Sequence, residues 1–182
     1  MTHKDSTRTS VDGQLERLIE ISRTMYEHPE VGYQERATSK VLADYLVENG
    51  FEVERPAYGL ETAFVATVGS GPEVVICAEM DALPGVGHAC GHNIIAAAAI
   101  GAGVALAAVA RDLGVQVTVL GTPAEEAFGG KVDLINAGAF DNASVAMMVH
   151  PSIQDVVDPN IIAVAHWEVE YRGKTAHASA YP

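Results

Sequence analysis

Cysteine and positive charge are both scarce in this 182-residue chain, and it has no long membrane-type apolar run. Each shortage excludes something. Two cysteines cannot form the disulfide framework of a small secreted domain, so the cytosol is the expected compartment. Eleven Lys and Arg against 24 Asp and Glu give a net charge of -13. That balance argues against nucleic acid or an anionic membrane surface as partner, since both are bound through basic patches. The opening residues, MTHKDSTRTS, contain no apolar core of a secretory signal. Residues 94–110, IIAAAAIGAGVALAAVA, are uncharged, but they are short for a membrane span and rich in weakly hydrophobic Ala and Gly. They read as a buried helix lying close against a sheet. With 48% apolar residues the chain is of the globular class.

Periodicity gives the order of elements. A first helix runs through VDGQLERLIEISRTMYEHPE, with Asp12 near its start and Leu15, Leu18, Ile19, Ser22, Met25 and Tyr26 on one face. Pro29 and Gly32 break it. A second helix spans residues 34–49, with Val41, Tyr45 and Leu46 on its apolar side and Gly50 as its stop. FEVER, TAFVATV and EVVICAEM read as strands. The Ala-rich helix follows, then the strand VQVTVLG, the loop TPAEEAFGG, a short helix KVDLINAG and the strand SVAMMVHP. Apolar strands alternating with helices predict an α/β fold with a mainly parallel sheet. After Pro151 the pattern changes. In IIAVAHWEVEYRG, Val164, His166, Glu168 and Glu170 fall on one side and Ala165, Trp167, Val169 and Tyr171 on the other. Such alternation predicts an antiparallel strand with one solvated face, hence a second domain.

In open α/β sheets, ligands bind beyond the carboxyl ends of the strands. Glu79, Asp81, His88, Cys90 and His92 follow one strand, Glu125 and Glu126 another, and His150 a third. Thiolate, imidazole and carboxylate are the ligand set of zinc and similar divalent ions. Cys90 and His92 are two apart, so an extended loop would point both to one side. The adjacent Glu125 and Glu126 would project oppositely, leaving one to bind metal and the other to take a proton from bound water. Asp81 is placed to orient an imidazole from behind. His88 shares the parity of Cys90 and is a further possible ligand. A cysteine hydrolase with Cys90 as nucleophile is the alternative chemistry, but it leaves the Glu pair and His150 without a task. A nucleotide-binding module fits less well, because GSGPE precedes a strand where a phosphate loop would follow one.

AEMDALPGVGHACGHN, GTPAEEAFGGKVDLINAGAF, MMVHP and YRGKTAHASAYP together resemble the aminoacylase and carboxypeptidase family of metallopeptidases, peptidase family M-twenty. The likeness is to its amidohydrolase branch, which includes hippurate, auxin-conjugate and aminobenzoyl-glutamate hydrolases and a dipeptidase of β-alanyl-type dipeptides. It runs from about residue 14 to the end.

The resemblance implies a three-layer α/β/α catalytic domain over residues 1–151, then the first strand of an α+β lid and dimerisation domain over residues 160–182. It implies Cys90, His92, Glu126 and His150 as metal ligands for a pair of zinc or manganese ions. It implies Glu125 as general base, Asp81 as the acid beside the centre, and His177 as a lid histidine reaching an active site across a homodimer. The activity implied is hydrolysis of the amide bond of N-acyl amino acids or dipeptide-like substrates by a metal-activated water. Departures accompany the match. Many members have His where Glu79 stands and Asp where Cys90 stands, and Asn93 replaces an Asp common in hippurate-type enzymes. Relatives are about twice as long, so the chain is expected to be a fragment, inactive alone. A catalytically silent dimerising or regulatory relic is the alternative.

Overall fold

The computed structural model describes residues 2–157, 159–160, 163, 165, 167, 169–175, 177 and 179. It divides into two units, Met1–Pro151 and Ser152–Pro182.

The first unit begins with helix α1 (His3–Glu27), capped at Thr2, whose hydroxyl accepts from the Asp5 N–H while the Asp5 carboxylate accepts from Thr2 N. This reciprocal capping starts the helix at His3, well before Asp12. The face it buries also differs from the expected one. Leu18, Ile21 and Met25 are buried, whereas Leu15, Ile19 and Tyr26 are exposed. Contact with the Ala-rich helix selects the stripe, and apolar character alone does not.

Helix α2 (Arg36–Glu48) is followed by strands β1 (Glu52–Glu54), β2 (Phe64–Gly69) and β3 (Glu73–Glu79). Helix α3 (His92–Leu113) leads into β4 (Gln116–Thr122), then the short helices α4 (Glu125–Phe128) and α5 (Gly130–Asn136), and β5 (Ala143–Met147). The sheet order is β1-β2-β4-β3-β5. β3 pairs in parallel with both β4 and β5, and β2 pairs antiparallel with β1 and β4. The sheet is therefore mixed. Only β2 runs against the rest, because it connects to β3 through the tight turn at Ser70–Pro72 instead of through a crossover helix.

Side-chain parity explains the apolar runs. Ile76 and Ala78 of β3, with Val117 and Val119 of β4, face α1, α2 and α3. Val75, Cys77 and Leu120 face the other way, against Leu134 of α5 and Ala139. A strand covered on both faces needs apolar residues at every position, and EVVICA has that character. α3 is, among the described residues, the one helix long and apolar enough to cross a membrane. It packs against α1, β3 and β4 and buries twelve of its residues.

In the stretch read as an alternating strand, Val164, His166 and Glu168 lie outside the described residues. The described neighbours, including Ala165, Trp167 and Val169, are exposed and form no ladder. A strand without a hydrogen-bonding neighbour leaves its peptide groups to water.

Small residues on α3 bring it close to the sheet. A Cβ on Gly103 would stand 2.4 Å from Val119 Cγ2, and one on Gly101 would stand 2.6 Å from Leu18 Cδ1. Replacing Gly by Ala inside a helix normally stabilises by ~0.5–1 kcal/mol. At Gly103 the sign should reverse, with overpacking against buried Val119 costing about 1–3 kcal/mol. Urea unfolding of Gly103→Ala measures this. An upward shift of the midpoint would contradict such close packing.

Candidate metal centre

The carboxyl ends of the three parallel strands β3, β4 and β5 deliver the predicted groups to one edge. Glu79 ends β3 and Asp81 follows it. His92 is the first residue of α3, Glu125 and Glu126 open α4 after β4, and His150 lies just past β5. Two sets of potential ligand atoms lie within 4.8 Å of one another: Glu79, His92 and His150, and His92, Glu125 and Glu126. His92 belongs to both.

His92 is buried, and its surroundings determine its tautomer. Nδ1 lies 2.9 Å from the Asp81 carbonyl oxygen and 3.1 Å from Asp81 Oδ1. Both are acceptors, so Nδ1 carries the proton and donates. In the neutral ring Nε2 is then a bare lone pair. It faces Glu79 Oε2 at 3.3 Å, and Glu125 Oε2 and Glu126 Oε1 at 3.8 Å each. Neither His92 Nε2 nor Glu79 Oε2 has a hydrogen-bond partner, although both atoms are buried. With Nε2 unprotonated, acceptors converging on one point without a donor repel, unless a cation lies among them. A divalent ion fits this donor set, and a carboxylate behind the imidazole is the usual support for a metal-ligating histidine.

His150 repeats the pattern. Its Nδ1 donates to the Pro151 carbonyl over 2.8 Å, which in the neutral ring places the lone pair on Nε2, and its ring stands edge-on to His92 with centroids 6.2 Å apart.

Charges around the centre are balanced locally. Lys131 of α5 pairs with Glu79 Oε1, leaving Oε2 for the centre. Burial alone would push Asp81 up. Hydrogen bonds from His92 and from the Glu126 and Glu125 backbone outweigh it and hold the carboxyl below its ordinary range. Burial pulls His92 down, but Asp81 and Glu79 outweigh it and leave the ring above its usual value. Burial, reinforced by the Glu79 and Glu126 carboxylates, pushes Glu125 up.

Cys90 lies outside both convergent sets but touches Glu126. Its hydrogen bond to that carboxylate, with burial and the charges of Glu125 and Asp81, pushes the thiol up to about 11. A nucleophilic cysteine needs the reverse, a positive neighbour that favours the thiolate. These surroundings disfavour the cysteine-hydrolase alternative.

Local geometry differs from expectation at two points. Cys90–Gly91–His92 is not extended, because Gly91 is left-handed (φ 82°) and begins α3. A Cβ there would also stand 3.0 Å from Pro151. Glu125 and Glu126 do not project oppositely. In the first turn of a helix, neighbours diverge by ~100°, so both carboxylates reach His92. His88 is buried beside the centre with both ring nitrogens unpartnered, and it joins neither set. His177 belongs to the second unit, where its Nδ1 lies 2.7 Å from Ser179 Oγ. Sequence reasoning left Glu79 without a role. Its signal was its position as the last β3 residue, on the same parity as Val75 and Cys77, facing Lys131.

Imidazoles, carboxylates and a thiol thus gather at the carboxyl edge of a sheet covered by helices on both faces. The profile of peptidase family M20/M25/M40 matches residues 75–180, and the chain belongs to that family. It is 43% identical to the Xaa-Arg dipeptidase of Mus musculus, over 94% of this chain and 43% of that protein. It is 30% identical to the N-acetyl-L-cysteine deacetylase of Bacillus subtilis, over 90% of this chain and 44% of that protein. Among solved structures, a dinuclear metal-binding peptidase of the M20 family from Bacillus subtilis aligns with a TM-score of 0.66 and 31% identity, covering 72% of this chain and 41% of that one. The chain thus spans less than half the length of these relatives.

Two measurements probe the centre. Titration with zinc or manganese should show binding that the double variant Cys90→Ser, His150→Ala weakens or abolishes. Unchanged stoichiometry and affinity would place the ion elsewhere. Lys131→Met should destabilise the protein by about 3 kcal/mol, because it leaves the buried Glu79 carboxylate uncompensated. Added zinc should restore more stability to that variant than it adds to the parent. Thermal melting with and without zinc measures both effects, and a neutral substitution would refute the pairing.

Proposed function

We propose that the protein is a metal-dependent amidohydrolase or dipeptidase. One observation carries the reading: the buried Nε2 of His92 and Oε2 of Glu79 face each other as unpartnered acceptors, with Glu125 and Glu126 beside them. His92, His150, Glu126 and Cys90 would hold the ions, with Glu79 as a further donor. The ions are two per site, of zinc or manganese. Bound divalent ions supply Lewis-acid polarisation of an amide carbonyl and acidify water at neutral pH.

The chain's own residues perform the proton work. Asp81 keeps the His92 proton on Nδ1 and so keeps Nε2 free to ligate. Glu125 is the more exposed of the pair, with side-chain exposure of 44% against 13% for Glu126. It accepts a proton from the attacking water and returns it to the departing amine nitrogen. Its raised affinity for a proton, from burial and the neighbouring carboxylates, suits that exchange. His177 is assigned to the oxyanion, across a homodimer. The substrate is an N-acyl amino acid or a dipeptide. Peptides with a carboxyl-terminal arginine come first, by likeness to the Xaa-Arg dipeptidase and because the chain is strongly acidic. The compartment is the cytoplasm.

Glu125→Gln in the full-length protein tests this. Hydrolysis of Xaa-Arg dipeptides and N-acyl amino acids should fall by ~10²–10⁴-fold with metal content retained. Near-normal turnover would remove Glu125 from the role of base. A parent that binds zinc yet hydrolyses none of these substrates would favour the silent relic.

A further inference from the structure

The segment between α1 and α2, residues 29–35, is part of no regular element, yet it touches both loops that carry the centre. The Ala82 N–H donates to the Glu30 carbonyl over 2.8 Å, and Val31 bridges to Ala82, one residue from Asp81. Gly32 lies so close to Ala124 that a Cβ on it would stand 3.0 Å from Ala124 Cα. The Tyr33 ring packs on Phe128 of α4 with centroids 5.2 Å apart, and its hydroxyl donates to Asp133 of α5. Glu35 completes the set. It is fully buried, its Oε1 accepts the Ala124 N–H over 2.8 Å, and its Oε2 accepts the Thr62 hydroxyl over 2.8 Å.

Ala124 is the residue before Glu125, and it holds a left-handed backbone (φ 57°) that non-glycine residues seldom adopt. Such a conformation persists only when its surroundings fix it. With Ala124 held at its N–H and Glu126 N–H held by Asp81 Oδ2 at 3.0 Å, the turn that aims both glutamates is fixed on two sides. Burying a carboxyl with no cation hydrogen-bonded to it is costly. The structure accepts that cost where the carboxyl spans Thr62 and Ala124.

We infer that Glu35 is a positioning residue, a buried clasp between Thr62 and the Ala124 N–H that sets the left-handed turn aiming Glu125 and Glu126 at the centre. The inference rests on the proposed roles of that pair. What matters is its reach, so geometry and charge predict opposite orders among variants. Gln is isosteric: its carbonyl still accepts from Ala124 and its amide donates to the Thr62 oxygen. Asp keeps the charge but is one methylene too short to span both partners.

Two readouts are needed on Glu35→Gln, Glu35→Asp and Glu35→Leu: amide hydrogen exchange over residues 124–128 relative to α1, and zinc affinity. The expected results are near-parental exchange and zinc affinity within threefold for Gln. For Asp and Leu, exchange at 124–128 should be at least tenfold faster with α1 unchanged, and zinc binding ~10–100-fold weaker, the usual range for groups that support a ligand from behind. If Leu does not fold, the Gln and Asp pair decides. Asp matching the parent with Gln impaired would overturn the clasp, and so would all variants retaining parental exchange. Should the parent itself bind no zinc, the functional reading fails, while the exchange data still decide the clasp.

Discussion

Everything at this site depends on the hydrogen bond between His92 Nδ1 and Asp81. It fixes which imidazole nitrogen carries the proton, and so turns Nε2 into an acceptor surrounded by acceptors. Burial makes the arrangement costly. In water each lone pair would find a donor, whereas in the interior the repulsion remains unless a cation lies among them. The same Asp81 carboxylate reaches the backbone of Glu126, so one side chain orients the histidine and anchors the turn that brings the acidic pair.

The fold supplies rigidity where this arrangement requires it. β3, β4 and β5 end at one edge because they are parallel neighbours, and β3 and β4, covered on both faces, are held by core on either side, while β5 is an exposed edge strand. His92 starts α3, a helix locked to α1 and the sheet through glycines where side chains would collide. The centre is thus built on strand ends, the residues just past them and helix starts. Lys131 provides a cationic partner for the buried Glu79 carboxylate.

Much of this was legible in the sequence. The apolar strands, the Ala-rich helix and the convergence of Asp81, His92, Glu126 and His150 follow from periodicity and from the rule about strand ends. Other features were not. The start of α1 depends on a two-residue reciprocal cap at Thr2 and Asp5 that leaves no hydrophobic signal. Exposed Leu15 and Ile19 share the period of the buried stripe, so pattern alone cannot separate them. Reversal of β2 is decided by a short turn, while apolar runs carry no direction. Residue parity misled around Cys90 and Glu125, because left-handed residues at Gly91 and Ala124 start helices where extended chain was expected. Glu35 was invisible for a different reason: its partners are 27 and 89 residues away, and only the folded chain brings them together.

The central claim is that His92 presents a bare Nε2 to a cation while Asp81 holds its Nδ1 proton. Long-range proton–nitrogen NMR of the imidazole rings, recorded with and without saturating zinc, tests it most directly. The account predicts a protonated Nδ1 in both states and an Nε2 that gives up any proton it holds and moves to a metal-coordinated position on zinc addition. An Nε2 that stays protonated in the presence of zinc, or Nδ1 as the coordinating atom, would contradict it.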